Sequence, residues 1–426
     1  EVPHTYESCI LQAECLTQAG LHLDAVRAYR QAASAALALG QWERAVRAYE
    51  AADLPFEALS TQDEANVRAE VWLELGDAEI RRGEWSRAQS IAAQLHAWAK
   101  QIGLKTFKGL ALSLLGNALK RQGRLSDAKR AFLAAKDNFE GVDARIHKAW
   151  ASYRLADVSL ELGLHLAAIS EFENAQSLFA QEQNIDGLVS CQLGLGKVAL
   201  AQDDRRQAER IFNVALAQAG DPSCSAKRRG RCLLWIALAR LKTGDTADGL
   251  DAFAHARQST HAAGDRVGTA RVCVHWAREL IRLGKTRDAA LLCAEGFDEL
   301  RRLPNRPDLM EDLIELADVC VSNKVYRLAD EVACHAKHMP QNADDNAASI
   351  VMAAIQCAAR VGLDDFDAAQ TLIRQFALGE LTELVLDERY IRALEAVAAG
   401  GWDDIGHVGL ADQLREKARR LRATLG

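Results

Sequence analysis

Apolar and polar positions alternate along this chain at helical spacing, and the pattern returns at a fixed interval. One column of small residues reads Ala88, Ala128, Ala168, Ala208, Gly249, Ala289, Ala329 and Ala369, in steps of 40 or 41 positions. Twelve residues earlier runs a second: Gly76, Gly116, Ala156, Gly196, Ala237, Ala277, Ala317 and Cys357. A third, seven residues after the first, reads Leu95, Ala135, Ala175, Ala215, Ala256, Gly296, Ala336 and Phe376, and between them stand Phe132, Phe172, Phe212 and Phe253. Columns that stay in phase over eight repeats mark a tandem array of one supersecondary unit. Small residues at these offsets let two antiparallel helices approach closely, and an aromatic fills the space between one pair and the next.

The turn inside each pair is expected about seven residues after the second column, at Gly83, Gly123, Gly163, Asp203–Asp204, Gly244, Gly284, Asn323–Lys324 and Gly362. Glycine, Asn and Asp tolerate the left-handed backbone that ends a helix. Prolines 222, 304, 307 and 340 fall near repeat boundaries, where they interrupt no helix. The ends are less regular. "DAVRAYRQAA" (24–33) and "RAVRAYEAAD" (44–53) follow Gly20 and Gly40 at a 20-residue step and predict three helices. At the other end "GGWDDIGHVG" (400–409) breaks the pattern before a last charged helix in "ADQLREKARRLRATLG". A polar terminal helix suits a cap on an array. The expected division is residues 1–63 as irregular or capping helices, 64–384 as eight repeats, and 385–426 as a degenerate repeat with a capping helix.

The order small-x6-turn-x4-Ala-x3-Phe-x2-Ala resembles the tetratricopeptide repeat, although that unit is about 34 residues long and this one is 40. The longer unit is similar to the sensor domain of the maltose regulator and related signal-transduction ATPases, to Rap-type regulators and to Pins/LGN adaptors, over roughly residues 60–384. The three opening helices are similar to SNAP-type adaptors. The resemblance implies an all-α, right-handed TPR-like superhelical solenoid of antiparallel helix pairs. The first helix of each pair would line the concave side.

Composition agrees with helices: six prolines in 426 residues, and a preponderance of Ala, Leu, Arg, Glu and Gln. A formal net charge of −7 argues against generic nucleic-acid binding, which needs a basic surface. No apolar run approaches the ~18–20 residues of a membrane span. The expectation is a soluble, cytoplasmic protein. The chain begins at Glu1 and enters a helical pattern almost at once, which suggests a segment of a longer polypeptide.

Catalytic signatures do not emerge. H-E-x-x-H, G-x-S-x-G and the kinase motifs are missing, and "GLGKV" at Gly194–Val198 puts Val198 where a phosphate loop needs a hydroxyl. "SLLGNALKRQGRLSDAKRAF" (113–132) has glycines at 116 and 123 beside basic residues, but Arg124 and Leu125 follow Gly123 in place of the required Lys and hydroxyl. "CHAKH", with Cys334, His335 and His338, spaces two ligands on one helix face and lacks a third. The ten cysteines are scattered singly and read as reduced core thiols. No enzyme activity, metal or cofactor is expected.

The inner face is where binding is expected. The residue after the second small column points into the groove of tetratricopeptide arrays, and here it reads Asp77, Asn117, Asp157, Lys197, Leu238, Arg278, Asp318 and Ala358. Four later come Arg81, Arg121, Glu161, Ala201, Lys242, Arg282 and Ser322, and six before the small column lie Trp150, Arg231 and Arg271. Asp77, Asn117, Arg121, Trp150, Tyr153 and Asp157 form a polar and aromatic set suited to a peptide backbone. Lys197 follows, and Arg231, Lys242, Arg271, Arg278 and Arg282 form a basic set suited to carboxylates or phosphates. The Lys-Asn clamp of chaperone-tail binders is matched at Asn117 only, because Ser113 stands where its Lys would be. The expected role is a protein- or peptide-binding scaffold, as the sensor or interaction domain of a larger bacterial signalling or defence protein. A small effector is a further candidate ligand, a free-standing adaptor the alternative, and a metal-dependent enzyme using His335 and His338 a third reading.

Overall fold

The computed structural model describes residues 5–39, 41–53, 62–141, 143–221, 224–303, 309–339, 346–376, 378, 388–400 and 410–425. Among them every regular element is a helix. The prolines at 222, 304, 307 and 340 and most of "GGWDDIGHVG" lie outside the described residues. The chain forms two compact units, residues 1–263 and 264–426.

Unit one opens with α1 (Tyr6–Gln18), α2 (His22–Ala38) and α3 (Trp42–Asp53), the three helices expected at the start. Five pairs follow: α4 (Gln62–Arg82) with α5 (Trp85–Gln101), α6 (Lys105–Arg121) with α7 (Leu125–Asn138), α8 (Arg145–Glu161) with α9 (His165–Gln181), α10 (Ile185–Ala201) with α11 (Arg205–Gln218), and α12 (Ala226–Thr243) with α13 (Thr246–Ala262). Each helix packs on the next in chain order, and the first helices of successive pairs also touch. Unit two contains α14 (Arg266–Arg282), α15 (Thr286–Arg301), α16 (Met310–Ser322), α17 (Tyr326–Ala336), α18 (Asn346–Gly362), α19 (Phe366–Gln375), α20 (Glu388–Ala398) and α21 (Leu410–Leu425).

The pair α6/α7 explains the repeat. Phe132 of α7 is fully buried, and a Cβ placed on Gly116 of α6 would sit 2.6 Å from its ring. Only glycine lets the ring lie flat on the helix backbone. The same ring reaches Leu155 and Val158 of α8, so it closes its own pair and joins the next. Burying such a ring contributes about 2–3 kcal/mol. Gly196 meets Phe212, and Gly194 meets Phe172, in the same way.

The turns keep the 40-residue step. Gly83, Gly123, Gly163, Asp203, Gly244, Gly284 and Lys324 all have positive φ, from 58° to 97°. The last pair departs from expectation: Gly362 is the final residue of α18, and the left-handed residue is Asp364, with φ 59°. Gly362 is used differently, since a Cβ there would meet the Tyr326 ring at 2.5 Å.

Candidate functional site

In unit one the first helices α4, α6, α8, α10 and α12 carry the columns expected to face the groove. Asp77 and its i+4 neighbour Arg81 form an ion pair at 2.7 Å. Asn117 is half-buried, and Arg121, one turn on, is exposed. Lys120, between them, contacts Asp157 of α8 and lies 2.8 Å from Glu161. Burial pulls the Lys120 ammonium down, but the Asp157 and Glu161 carboxylates outweigh it and its pKa lies above the ordinary value.

The aromatic residues collect on α8. Trp150 stands edge-on to Tyr153 at 5.6 Å between centroids and to Phe179 at 4.8 Å, and Tyr153 lies 5.6 Å from Phe172. Trp150 and Tyr153 therefore each present one side to the core, which leaves them half-buried. Burial, with the Asp157 charge adding, pushes the Tyr153 hydroxyl up to about 12.

Two cations stand out. Arg154 follows Tyr153 and is half-buried, with neither a hydrogen bond nor an ion pair to any described residue. Burial lowers its pKa, and Asp77 of α4 offsets this only through space. Lys197 of α10 lies 4.9 Å from the centroid of the Trp235 ring of α12 and makes no ion pair among the described residues. Burial pulls its ammonium below the usual range, against the pull of Asp157, while Arg231 pushes it further down. Arg231 is exposed near the start of α12. Lys242 is exposed in its last turn, 11 residues on and so about 16 Å away along the axis, and its carbonyl accepts from Arg205.

The expected groove set names Trp150, Tyr153, Asp157, Lys197 and Arg231; Lys120, Arg154 and Trp235 lie on the same series of first helices and outside that set. Arg154 had a signal: it lies four residues after Trp150 and three before Asp157, hence on their face of the helix.

In unit two the basic set is largely neutralised. Both Asp312 oxygens take Arg271, at 2.5 and 3.0 Å, and Arg282 pairs with Glu279 at 3.0 Å. The hydrogen bonds that Arg271 donates to Asp312 hold its pKa above the ordinary value, outweighing the desolvation that lowers it. Arg278 has no ion-pair partner among the described residues and lines a cleft of roughly 520 Å³. Ile281 of α14, Glu311, Glu315, Asp318, Val319 and Ser322 of α16, and Arg389 and Arg392 of α20 complete its walls.

The "CHAKH" segment forms no metal site among the described residues. His338 Nδ1 lies 2.8 Å from the Cys334 carbonyl, and the His335 ring stands edge-on to Phe297 at 5.7 Å. None of the ten cysteines forms a disulfide; Cys15 is exposed, Cys224 and Cys334 are half-buried and the others are buried. No described helix is long and apolar enough to cross a membrane.

No protein-family model and no curated protein matches this chain. Solved structures do. A Rap protein complexed with competence and sporulation factor aligns over 83% of this chain and 96% of its own, with 12% identity and a TM-score of 0.51. The fold is tetratricopeptide-like. NprR in complex with its cognate peptide NprX aligns over 83% of this chain and 97% of its own at 14% identity and TM-score 0.48. A signal transduction ATPase with a tetratricopeptide repeat sensor, from Pyrococcus horikoshii, aligns over 94% of this chain and 52% of its own at 13% identity and TM-score 0.48.

Proposed function

We propose that the chain is a peptide- or protein-binding scaffold, and that the inner face of α6, α8, α10 and α12 takes the ligand. The observation that carries this is the state of Arg154 and Lys197. Each is half-buried and makes no hydrogen bond or ion pair to a described residue, with Lys197 resting on the Trp235 ring and carboxylates acting on both only through space. An arrangement of this kind lowers stability, because a desolvated charge is compensated only when it is paired. A carboxylate or backbone carbonyl of a bound segment supplies the missing partner. Trp150, Tyr153 and Trp235 flank the two cations and offer apolar surface with a polar edge, the composition of protein-binding hot spots. Asn117, whose amide has no partner among the described residues, adds a donor and an acceptor for a peptide backbone.

A scaffold acts through what it holds, and within this reading the chain serves as a sensor or interaction segment in a signalling protein. The Rap protein of the same fold, solved complexed with competence and sporulation factor, supports the use of such a scaffold for a factor of that kind.

The test compares native chain with the double variant Arg154→Met and Lys197→Met in capture from native lysate, read by mass spectrometry, alongside thermal unfolding. The variant is expected to lose the captured partner at least about ten-fold while melting at nearly the same temperature, since neither cation makes an ion pair to a described residue. Undiminished capture by a folded variant refutes the site.

A further inference from the structure

Helix α20 does not occupy the place of the next repeat. In unit two α16 packs against both helices of the pair before it, α14 and α15, and α18 packs against α16 and α17. Helix α20 packs on α18 and α21, and with α19 it shares no substantial contact among the described residues. Packing on the first member of the preceding pair, without comparable packing on the second among the described residues, is what a place on the groove side of that pair would give.

Burial along the groove column agrees. Asp77, Asn117, Asp157, Lys197 and Leu238 are half-buried and Arg278 is exposed, whereas Asp318 and Ala358 are buried at 7% and 3% exposure. These two stand on α16 and α18, the helices nearest α20. Helix α18 is enclosed almost all round: Ile350 to Ala359 are all buried, including Gln356, and α18 adds no residue to the neighbouring cleft. A first helix with an open groove face would show a polar stripe there.

Charge fixes the docking. Arg389 donates to both Glu311 oxygens, at 2.6 and 3.3 Å, and Arg392 to Asp318 at 2.7 Å, so α20 reaches past α18 to α16. The arginines are three residues apart on one helix face, and the apolar face beside them, with Tyr390, Ile391, Leu394 and Val397, is buried. The arrangement has the form of helix-in-groove recognition, with α21 covering the other side of α20 through Lys417, 5.6 Å from the Tyr390 ring centroid.

We propose that α20 is a ligand in cis for the groove of unit two, and that the same groove binds in trans an amphipathic protein helix carrying two arginines one turn apart beside an apolar face. The occupant in cis lowers the apparent affinity for such a helix by the fraction of molecules in which α20 is released. This inference concerns unit two and is independent of the Arg154 and Lys197 site, so either can fail alone.

The experiment uses the full chain and a labelled synthetic peptide ERYIRALEAVA, residues 388–398. Hydrogen exchange is compared between native chain and the double reversal Arg389→Glu with Arg392→Glu. Exchange is expected to rise in α18 and stay unchanged in α14 and α15, and adding Glu311→Arg with Asp318→Arg restores protection. The peptide is expected to bind the double reversal at least about ten-fold more tightly than native chain, because the groove is vacant. A peptide with both arginines changed to glutamate binds neither. Unchanged α18 exchange in the double reversal, or equal affinity of the peptide for both proteins, overturns the proposal. A loss of protection that extends through α14 and is not restored by the compensating pair also overturns it, because α20 is then part of the core.

Discussion

Whether a methyl group helps or harms at Gly116 depends on one ring. In an exposed helix interior, glycine to alanine gains about 0.5–1 kcal/mol by restricting the unfolded chain. Here the new Cβ would lie 2.6 Å from the fully buried Phe132, which has no solvent to retreat into. Overpacking of this kind costs about 1–3 kcal/mol and outweighs the gain. Gly116→Ala is therefore expected to lower the urea midpoint, and adding Phe132→Leu to recover part of the loss; a raised midpoint in the single variant contradicts the account. His275 offers a second case. Burial, with Arg278 and Arg271 nearby and Asp312 opposing them, pulls its pKa from 6.5 to about 4. Folded protein then binds this proton less readily than unfolded protein, so His275 opposes folding progressively as pH falls from 6.5 towards 4. The destabilising contribution of His275 is absent above that window. Replacing His275 with Gln is expected to flatten the decline in unfolding free energy between about pH 7 and about pH 4.5 relative to native chain; parallel profiles refute the assignment.

At the scale of the element, helix positions were legible because one rule recurs. The rule needs a small residue facing an aromatic, then a left-handed residue seven positions on, and both are visible in a one-dimensional string. The step is stronger than the residue type, as Lys324 and Asp364 show by taking φ of 58° and 59° where glycine would be easier. That is why Gly362 misled: the nearest glycine to the expected turn was serving the Tyr326 ring. The candidate site was legible only in part. Column arithmetic predicts which residues share a helix face, but pairing with other side chains decides which charges keep no partner among the described residues. Arg271 and Arg282 looked equivalent to Arg278 in sequence, and Asp312 and Glu279 neutralise them. The placement of α20 was hidden for a similar reason. Its amphipathic pattern fits a next repeat as well as a groove, and the choice rests on Glu311 and Asp318, more than 70 residues earlier. The apolar run on α18 was the available clue.

At the scale of the whole molecule, a repeat array carries stability through neighbours. Phe132 and Phe172 each cluster with residues of their own pair and of a neighbouring pair, so damage is expected to spread by steps and fade with distance. Ala168 is a suitable place to see this. It is fully buried with Ala156, Phe172 and Val198, residues drawn from α8, α9 and α10. Ala168→Trp has no room for an indole and must separate the α8/α9 pair from α10. Hydrogen exchange is expected to accelerate most in α8 to α11, less in α6, α7 and α12, and not at all in α1 to α3. An equal rise across α1 to α13 would mean that unit one unfolds as a single cooperative body, and the neighbour-by-neighbour account would then fail. The expected gradient has a consequence for binding. Arg154 and Lys197 sit on α8 and α10, the two helices whose residues Ala156 and Val198 pack with Ala168. If the proposed site takes the ligand, Ala168→Trp is expected to weaken its capture as well, by separating the helices that carry the two cations.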